Sequence, residues 1–177
     1  VLSPDLPIAH GYCRPYNYIE LPDEEGLFEL RDVPHGTLTQ EFYKSKISDN
    51  WEKLIVYLPP CVPSAGLPVL YLQHGFGESE ISWSTTGKVN ILMDNLIAAG
   101  KIKPFAIVMG NGMVKQRVDG ELKLNRALYG QMLVEEILPM IEKKYQFGGS
   151  KEKRGMAGLS MGSVQTTRTI CEHPELF

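Results

Sequence analysis

Cysteine, tryptophan and long apolar stretches are all scarce in this chain. Its 177 residues include three cysteines and two tryptophans, and no run approaches the roughly 20 apolar residues of a membrane span. Cys13, Cys61 and Cys171 are dispersed, odd in number and without metal-ligand spacing, which excludes a full disulfide framework and a cysteine-held metal while leaving a single bridge open. A basic run is missing too. The 18 Lys and Arg stand against 21 Asp and Glu, a net charge of −3, so the chain carries no electrostatic footprint for nucleic acid or an anionic membrane. Val1-Leu2-Ser3-Pro4 has neither the charged start nor the apolar region of an export signal, and any such signal is expected to have been removed already. No internal repeat is present. What remains is the make-up of an ordinary globular domain with room for a sizeable core, 43 % hydrophobic and 22 % charged.

Against this plain background one segment stands out. Met156-Ala157-Gly158-Leu159-Ser160-Met161-Gly162 places Gly-x-Ser-x-Gly between a strand-like run and a helix-like run. In that context the pattern reads as a nucleophile elbow, with Ser160 at the apex of a tight strand-to-helix turn and its Oγ raised above the sheet. The flanking glycines are expected because a Cβ on either side would strike the adjoining strand or helix. The same turn aims the first N–H groups of the helix at a developing oxyanion.

A second glycine motif, His74-Gly75-Phe76-Gly77, follows the apolar run Pro68–Gln73. In hydrolases with such an elbow, one oxyanion N–H comes from the loop after the third strand and the other from the residue after the nucleophile. The backbone N–H groups of Phe76 and Met161 are therefore the candidate oxyanion donors. Gly75 is expected to need a small residue, and His74 to shape the loop rather than act as base. Glu78, Trp83 and Asn111 lie at motif ends where they could line a substrate cleft, although loop polar groups commonly serve the backbone instead.

The remaining pattern is a βαβ series. Residues 1–34 hold five prolines and read as an extended lead-in without periodicity. Thr37 to Ile47, Glu52 to Leu58, Pro68 to Gln73, Phe105 to Met109 and Arg154 to Leu159 read as strands. Val89, Leu92, Met93, Leu96 and Ile97 mark a helix ended by Gly100; Leu133, Ile137, Met140 and Ile141 mark another from about Arg126 to Tyr145, with Glu135, Glu136 and Glu142 expected on its solvated side.

Leu70–Glu78, Trp83, Gly87-Lys88-Val89-Asn90 and Met93–Ala98 resemble the esterase family of α/β-hydrolases that includes carbohydrate esterase family one. So do Asp32–Gly36, Tyr43-x-Ser45-Lys46, Tyr57–Pro60 and Ala157–Gly162. The likeness runs from about residue 30 to 177 and is nearest to feruloyl and acetyl-xylan esterases; Ser163 departs from it, standing where the family usually has a third glycine. The resemblance implies an α/β fold, a mostly parallel sheet with helices on both faces. It further implies that residues 1–30 are a linker or the tail of a preceding β-sandwich domain and that 31–177 form the N-terminal part of a catalytic domain. The activity it implies is that of a serine esterase acting without metal or organic cofactor on acyl or feruloyl esters of plant-wall polysaccharide, secreted or periplasmic.

A serine hydrolase of this kind needs an acid and then a histidine after its nucleophile. After Ser160 come Glu172, His173 and Glu175, at the end of a helix stopped by Pro174. Thirteen residues of helix put His173 about 20 Å from Ser160, and His10, His35 and His74 precede the nucleophile. The acid and the histidine of the triad are therefore expected downstream of Phe177, and these residues alone are expected to hydrolyse esters weakly or not at all. The strand entering the elbow would be left as an unpaired edge open to self-association. The alternative is a hydrolase fold retained as an inactive binding protein or scaffold.

Overall fold

The computed structural model describes residues 2–177. The lead-in is not featureless: β1 (Ile8–Gly11) and β2 (Arg14–Asn17) form an antiparallel hairpin. Further along, Asn95 Nδ2 donates to the carbonyls of Leu27 (2.8 Å) and Glu29 (2.9 Å), so the segment that follows the hairpin is tied to a helix of the main body.

The central sheet contains β3 (Thr37–Lys44), β4 (Trp51–Leu58), β5 (Val69–Gln73), β6 (Ala106–Gly110) and, after a separate hairpin of β7 (Lys115–Val118) and β8 (Glu121–Leu124), β9 (Arg154–Gly158). Its order is β3-β4-β6-β5-β9. β3 and β4 enter antiparallel, while β6, β5 and β9 run parallel. All five residues of β6 are buried because strands flank it and layers cover both its faces, which explains its unbroken apolar run. Along β4 the side chains alternate between faces: Leu54 and Val56 join one core, Ile55 and Tyr57 the other. Among the described residues β9 pairs with β5 alone, and each of its residues is partly exposed.

Helices lie on both faces. α1 (Ser82–Thr85) and α2 (Val89–Ala98) cover the side of Ile55, Tyr57, Leu72 and Met109, with Met93 buried beneath α2. The opposite side receives α3 (Tyr129–Met132), a π-helical turn (Leu133–Ile137) and α4 (Leu138–Tyr145) as one continuous rod, and later α5 (Met161–Glu172). Pro139 explains the π turn. It lacks an N–H, and in a regular helix its ring would press on the carbonyl of Glu135; widening the preceding turn relieves that contact.

Two of the three glutamates expected on the solvated side of this rod are not there. Glu142 pairs with Arg154 through Nε (2.6 Å) and Nη2 (2.8 Å), both side chains being about nine-tenths buried. It also accepts from the Tyr71 hydroxyl at 3.1 Å and the Gly149 N–H at 2.8 Å. Glu136 accepts the N–H groups of Lys46 (2.7 Å) and Ile47 (3.2 Å). Only Glu135 is exposed. The three cysteines are exposed and unpaired, and no helix among the described residues is long and apolar enough to cross a membrane.

Candidate active site

β9 runs directly into α5, and Ser160 is the hinge between them. Its backbone sits at φ 51°, ψ −112°, a conformation that costs a non-glycine residue about 1–3 kcal/mol and persists only where the surroundings impose it. The surroundings here are two glycines. A Cβ on Gly158 would stand 2.4 Å from the carbonyl carbon and oxygen of Gly162, and a Cβ on Gly162 would stand 2.8 Å from the carbonyl oxygens of Gln73 and His74. The first glycine lets α5 turn back over β9; the second lets α5 seat against the end of β5. The Leu159 N–H closes the arrangement by donating to the Gln73 carbonyl at 3.1 Å. Ser160 is left exposed above the sheet. Ser163 fits where a third glycine was expected, its Oγ donating to the Ser160 carbonyl at 2.7 Å.

The loop after β5 meets this turn. His74 is 1 % exposed and spends both ring nitrogens on backbone: Nδ1 lies 2.8 Å from the Gly75 carbonyl, and Nε2 lies 3.0 Å from the Gly112 N–H. A carbonyl must receive a proton and an N–H must give one, so the ring is neutral with its hydrogen on Nδ1. The peptide joining Gly75 to Phe76 is planar and trans, so holding the Gly75 carbonyl fixes the opposite direction of the Phe76 N–H. Among the described residues no acceptor meets the N–H of Phe76 or of Met161. Met161 opens α5, where the helix dipole adds positive potential.

Gln165, which sequence reasoning passed over, completes the support. One turn into α5 and 8 % exposed, it donates Nε2 to the carbonyls of Gly112 (3.0 Å) and Arg126 (3.1 Å). A chain of contacts thus runs from the elbow helix through Gly112 and His74 to Gly75. The one available signal was its position on the inward face of the helix that starts after Ser160.

Glu78, Trp83 and Asn111 all use their polar atoms locally. Glu78 Oε2 accepts the Gly75 N–H at 2.9 Å, the Trp83 indole N–H donates to the Gln73 carbonyl at 3.0 Å, and Asn111 Oδ1 accepts the Met113 N–H at 2.9 Å. Glu78 and Trp83 also line a cleft of about 210 Å³ beside Leu159. Glu78 and Asn111 also line a second cleft of about 410 Å³, together with Cys13, Trp51 and Gly77. A third cleft of about 470 Å³, between Arg126 and α5, reaches Met161 but holds neither a nucleophile nor a base.

The expectation for Gly75 needs correction. The atoms nearest a Cβ there are those of the Glu78 carboxylate, at 3.5 Å or more, which is ordinary contact. The demanding position is Gly77, at φ +76°, where a Cβ would stand 2.1 Å from the Cys13 nitrogen.

Both ring nitrogens of His74 are engaged, as are those of His35, on Asp94 Oδ2 and the Arg31 carbonyl at 3.0 Å each. His173 ends α5, the end remote from Ser160, and His10 is exposed on β1.

A mixed sheet with helices on both faces, and a strained serine at a glycine-tight strand-to-helix turn, define an α/β-hydrolase. The family described as "Putative esterase" matches residues 45–177, and the chain belongs to it. An endo-1,4-beta-xylanase/feruloyl esterase of Xylanibacter ruminicola is 37 % identical over 183 residues, covering 97 % of this chain and 25 % of that protein. A solved ferulic acid esterase is 30 % identical with a TM-score of 0.70, covering 81 % of this chain and 58 % of its own. The fold is shared with a CE1 ferulic acid esterase from Anaeromyces mucronatus, solved in complex with ferulic acid. That structure has a TM-score of 0.77 at 21 % identity, over 88 % of this chain and 60 % of the other. The chain therefore spans a quarter of the curated relative and about three-fifths of these solved esterases.

Proposed function

We propose that the protein containing this chain is a serine carboxylic-ester hydrolase that works through an acyl-enzyme on Ser160, on acyl or feruloyl esters of plant-wall polysaccharide. The observation that carries the reading is the Ser160 backbone, held at positive φ by glycines that leave no room for a side chain. A histidine takes the Ser160 proton as Oγ attacks the ester carbonyl, and the N–H groups of Phe76 and Met161 receive the oxyanion. The same histidine protonates the departing alcohol, and water then cleaves the acyl-enzyme by the reverse proton traffic. That histidine and its acid belong to the protein outside residues 1–177, and Glu78, Trp83 and Asn111 border the substrate. The names of the relatives support feruloyl esters as the substrate class. A polymer too large to enter a cell further favours a secreted or periplasmic location.

Ser160→Ala in the full-length protein tests the reading. Hydrolysis of p-nitrophenyl acetate should fall on the order of 10⁶-fold in kcat, the scale for loss of such a nucleophile, with the melting temperature maintained. Near-normal turnover would remove Ser160 from the mechanism. A wild-type protein without ester hydrolysis would favour the inactive scaffold instead.

A further inference from the structure

The N-terminal hairpin lies outside the residues matched by the family, yet it touches the loop that carries the candidate oxyanion donor. Tyr12 and Cys13, at its tip, take φ values of 52° and 62°, a left-handed pair suited to a two-residue hairpin turn. Their N–H groups donate to two consecutive loop carbonyls, Tyr12 to Phe76 at 3.0 Å and Cys13 to Gly77 at 3.3 Å. The missing side chain at Gly77 is what admits the tip.

Docked in this way, the hairpin brings Tyr16 of β2 to the cleft of about 210 Å³, whose lining includes Tyr16, Glu78, Ser82, Trp83, Thr86 and Leu159. Leu159 immediately precedes the nucleophile. Trp83 is fixed by its contacts, and Tyr16, 41 % exposed, lines the cleft from the hairpin. The Trp83 indole is anchored on the Gln73 carbonyl, and a Cβ on Gly87 would come within 2.9 Å of its ring. The Tyr16 ring lies over Gly11, where a Cβ would stand 3.2 Å from its Cε1. The cleft is smaller than the roughly 300 Å³ at which pockets for drug-sized ligands begin. Two rings, an apolar neighbour of the nucleophile and polar groups from Glu78, Ser82 and Thr86 suit a single flat aromatic ring bearing polar substituents.

We propose that the N-terminal hairpin is a working wall of the catalytic cleft and that Tyr16, with Trp83, selects an aromatic acyl group over a small aliphatic one. This rests on the assignment of Ser160 as nucleophile. A phenolic acyl group gains stacking and burial against the two rings, for which an acetyl group has no aromatic surface.

The test uses the full-length protein with Tyr16→Leu, which keeps apolar bulk over Gly11, and Tyr16→Phe, which keeps the ring. The readout is the ratio of kcat/KM for methyl ferulate to that for p-nitrophenyl acetate. Tyr16→Leu should lower this ratio about tenfold, equivalent to about 1.4 kcal/mol, chiefly through KM; Tyr16→Phe should keep most of it. An unchanged ratio in Tyr16→Leu overturns the inference, as does an equal loss on both esters. A binding arm separates this outcome from failure of the esterase reading. Ferulate titrated calorimetrically into Ser160→Ala protein should bind about tenfold more weakly when Tyr16→Leu is added. Weaker binding supports the slot even where hydrolysis is absent, and an unchanged Kd, or no ferulate binding at all, contradicts it.

Discussion

Replacing His74 with alanine removes a buried side chain that links the loop after β5 to the loop after β6. The buried Gly112 N–H, held at 3.0 Å, loses its partner, and the Gly75 carbonyl, held at 2.8 Å, keeps only the longer bond from the Glu78 N–H at 3.3 Å. The stranded N–H costs about 1–3 kcal/mol, and the cavity left by a side chain that is 1 % exposed adds to this. For a domain of this size 1 kcal/mol lowers the melting temperature by about 2–4 °C, which gives a fall on the order of 2–12 °C from the stranded group alone. The catalytic effect is separate. With the Gly75 carbonyl held only by the longer bond from the Glu78 N–H, the Phe76 N–H is less firmly aimed, and full loss of one oxyanion donor costs about 10²–10³ in kcat. KM should change little, because that contact strengthens only in the transition state. The assay is a thermal melt of the full-length protein paired with p-nitrophenyl acetate kinetics well below the variant's transition. A normal melt with kcat within about twofold of wild type would refute the positioning argument, since a stranded buried N–H cannot be silent. A normal melt with complete loss of activity and of the acid limb of the pH–rate profile would make His74 the base, against the tautomer deduced above.

Three further outcomes follow from the same contacts. Glu142→Ala strands Arg154, 11 % exposed, without its counter-charge, and should cost about 3–5 kcal/mol in urea denaturation; a loss under about 1 kcal/mol would mean that solvent already screens the pair. Gly77→Ala should lower kcat and speed hydrogen exchange at the Tyr12 and Cys13 amides, because a Cβ there displaces the hairpin tip, whereas Gly75→Ala should be near neutral; equal effects would show that the hairpin does not brace the loop. Burial, helped by the negative charges of Glu136 and Glu80, raises the Glu52 carboxyl above its ordinary range against a hydrogen bond from Ser48. A carboxyl that resists ionising in the fold loses stability as pH rises above the unfolded value near 4.5, so Glu52→Gln should melt higher than wild type at pH 7 and nearly equal to it at pH 4. A lower melt at pH 7 would reverse the sign and point to a favourable ion at that site.

What the chain disclosed in advance was what burial writes into periodicity. β4, β5, β6 and α2 were legible because their faces meet two cores, and the elbow because Gly158 and Gly162 answer to steric demands a few ångströms away. The two hairpins escaped because they lie largely in solvent. Ala9 and Gly11 are the only buried residues of β1 and β2, and β7 and β8 have none. For β7 and β8 a signal existed nonetheless: Asp119-Gly120, at φ 52° and +83°, is the Asp-Gly pair of a two-residue turn. Tyr12-Cys13 fills the same turn without glycine or asparagine and gave no such cue. Glu136 and Glu142 were misplaced because helical spacing reports which face a residue is on, not whether a backbone N–H or an arginine waits there. The π turn at Leu133–Ile137 shifted that face as well. Gln165 and the double use of His74 depend on contacts across 38 to 53 residues of sequence, which no local pattern records.

The most direct test of the account is covalent capture of the nucleophile. Full-length protein treated with a fluorophosphonate and digested with trypsin should carry the adduct on the peptide Gly155–Arg168, with fragmentation placing it on Ser160 and leaving Ser163 unmodified. Modification should track loss of ester hydrolysis one for one and be absent in Ser160→Ala. Inactivation with that peptide unmodified, or an adduct on any other serine, would contradict the assignment on which the mechanism rests.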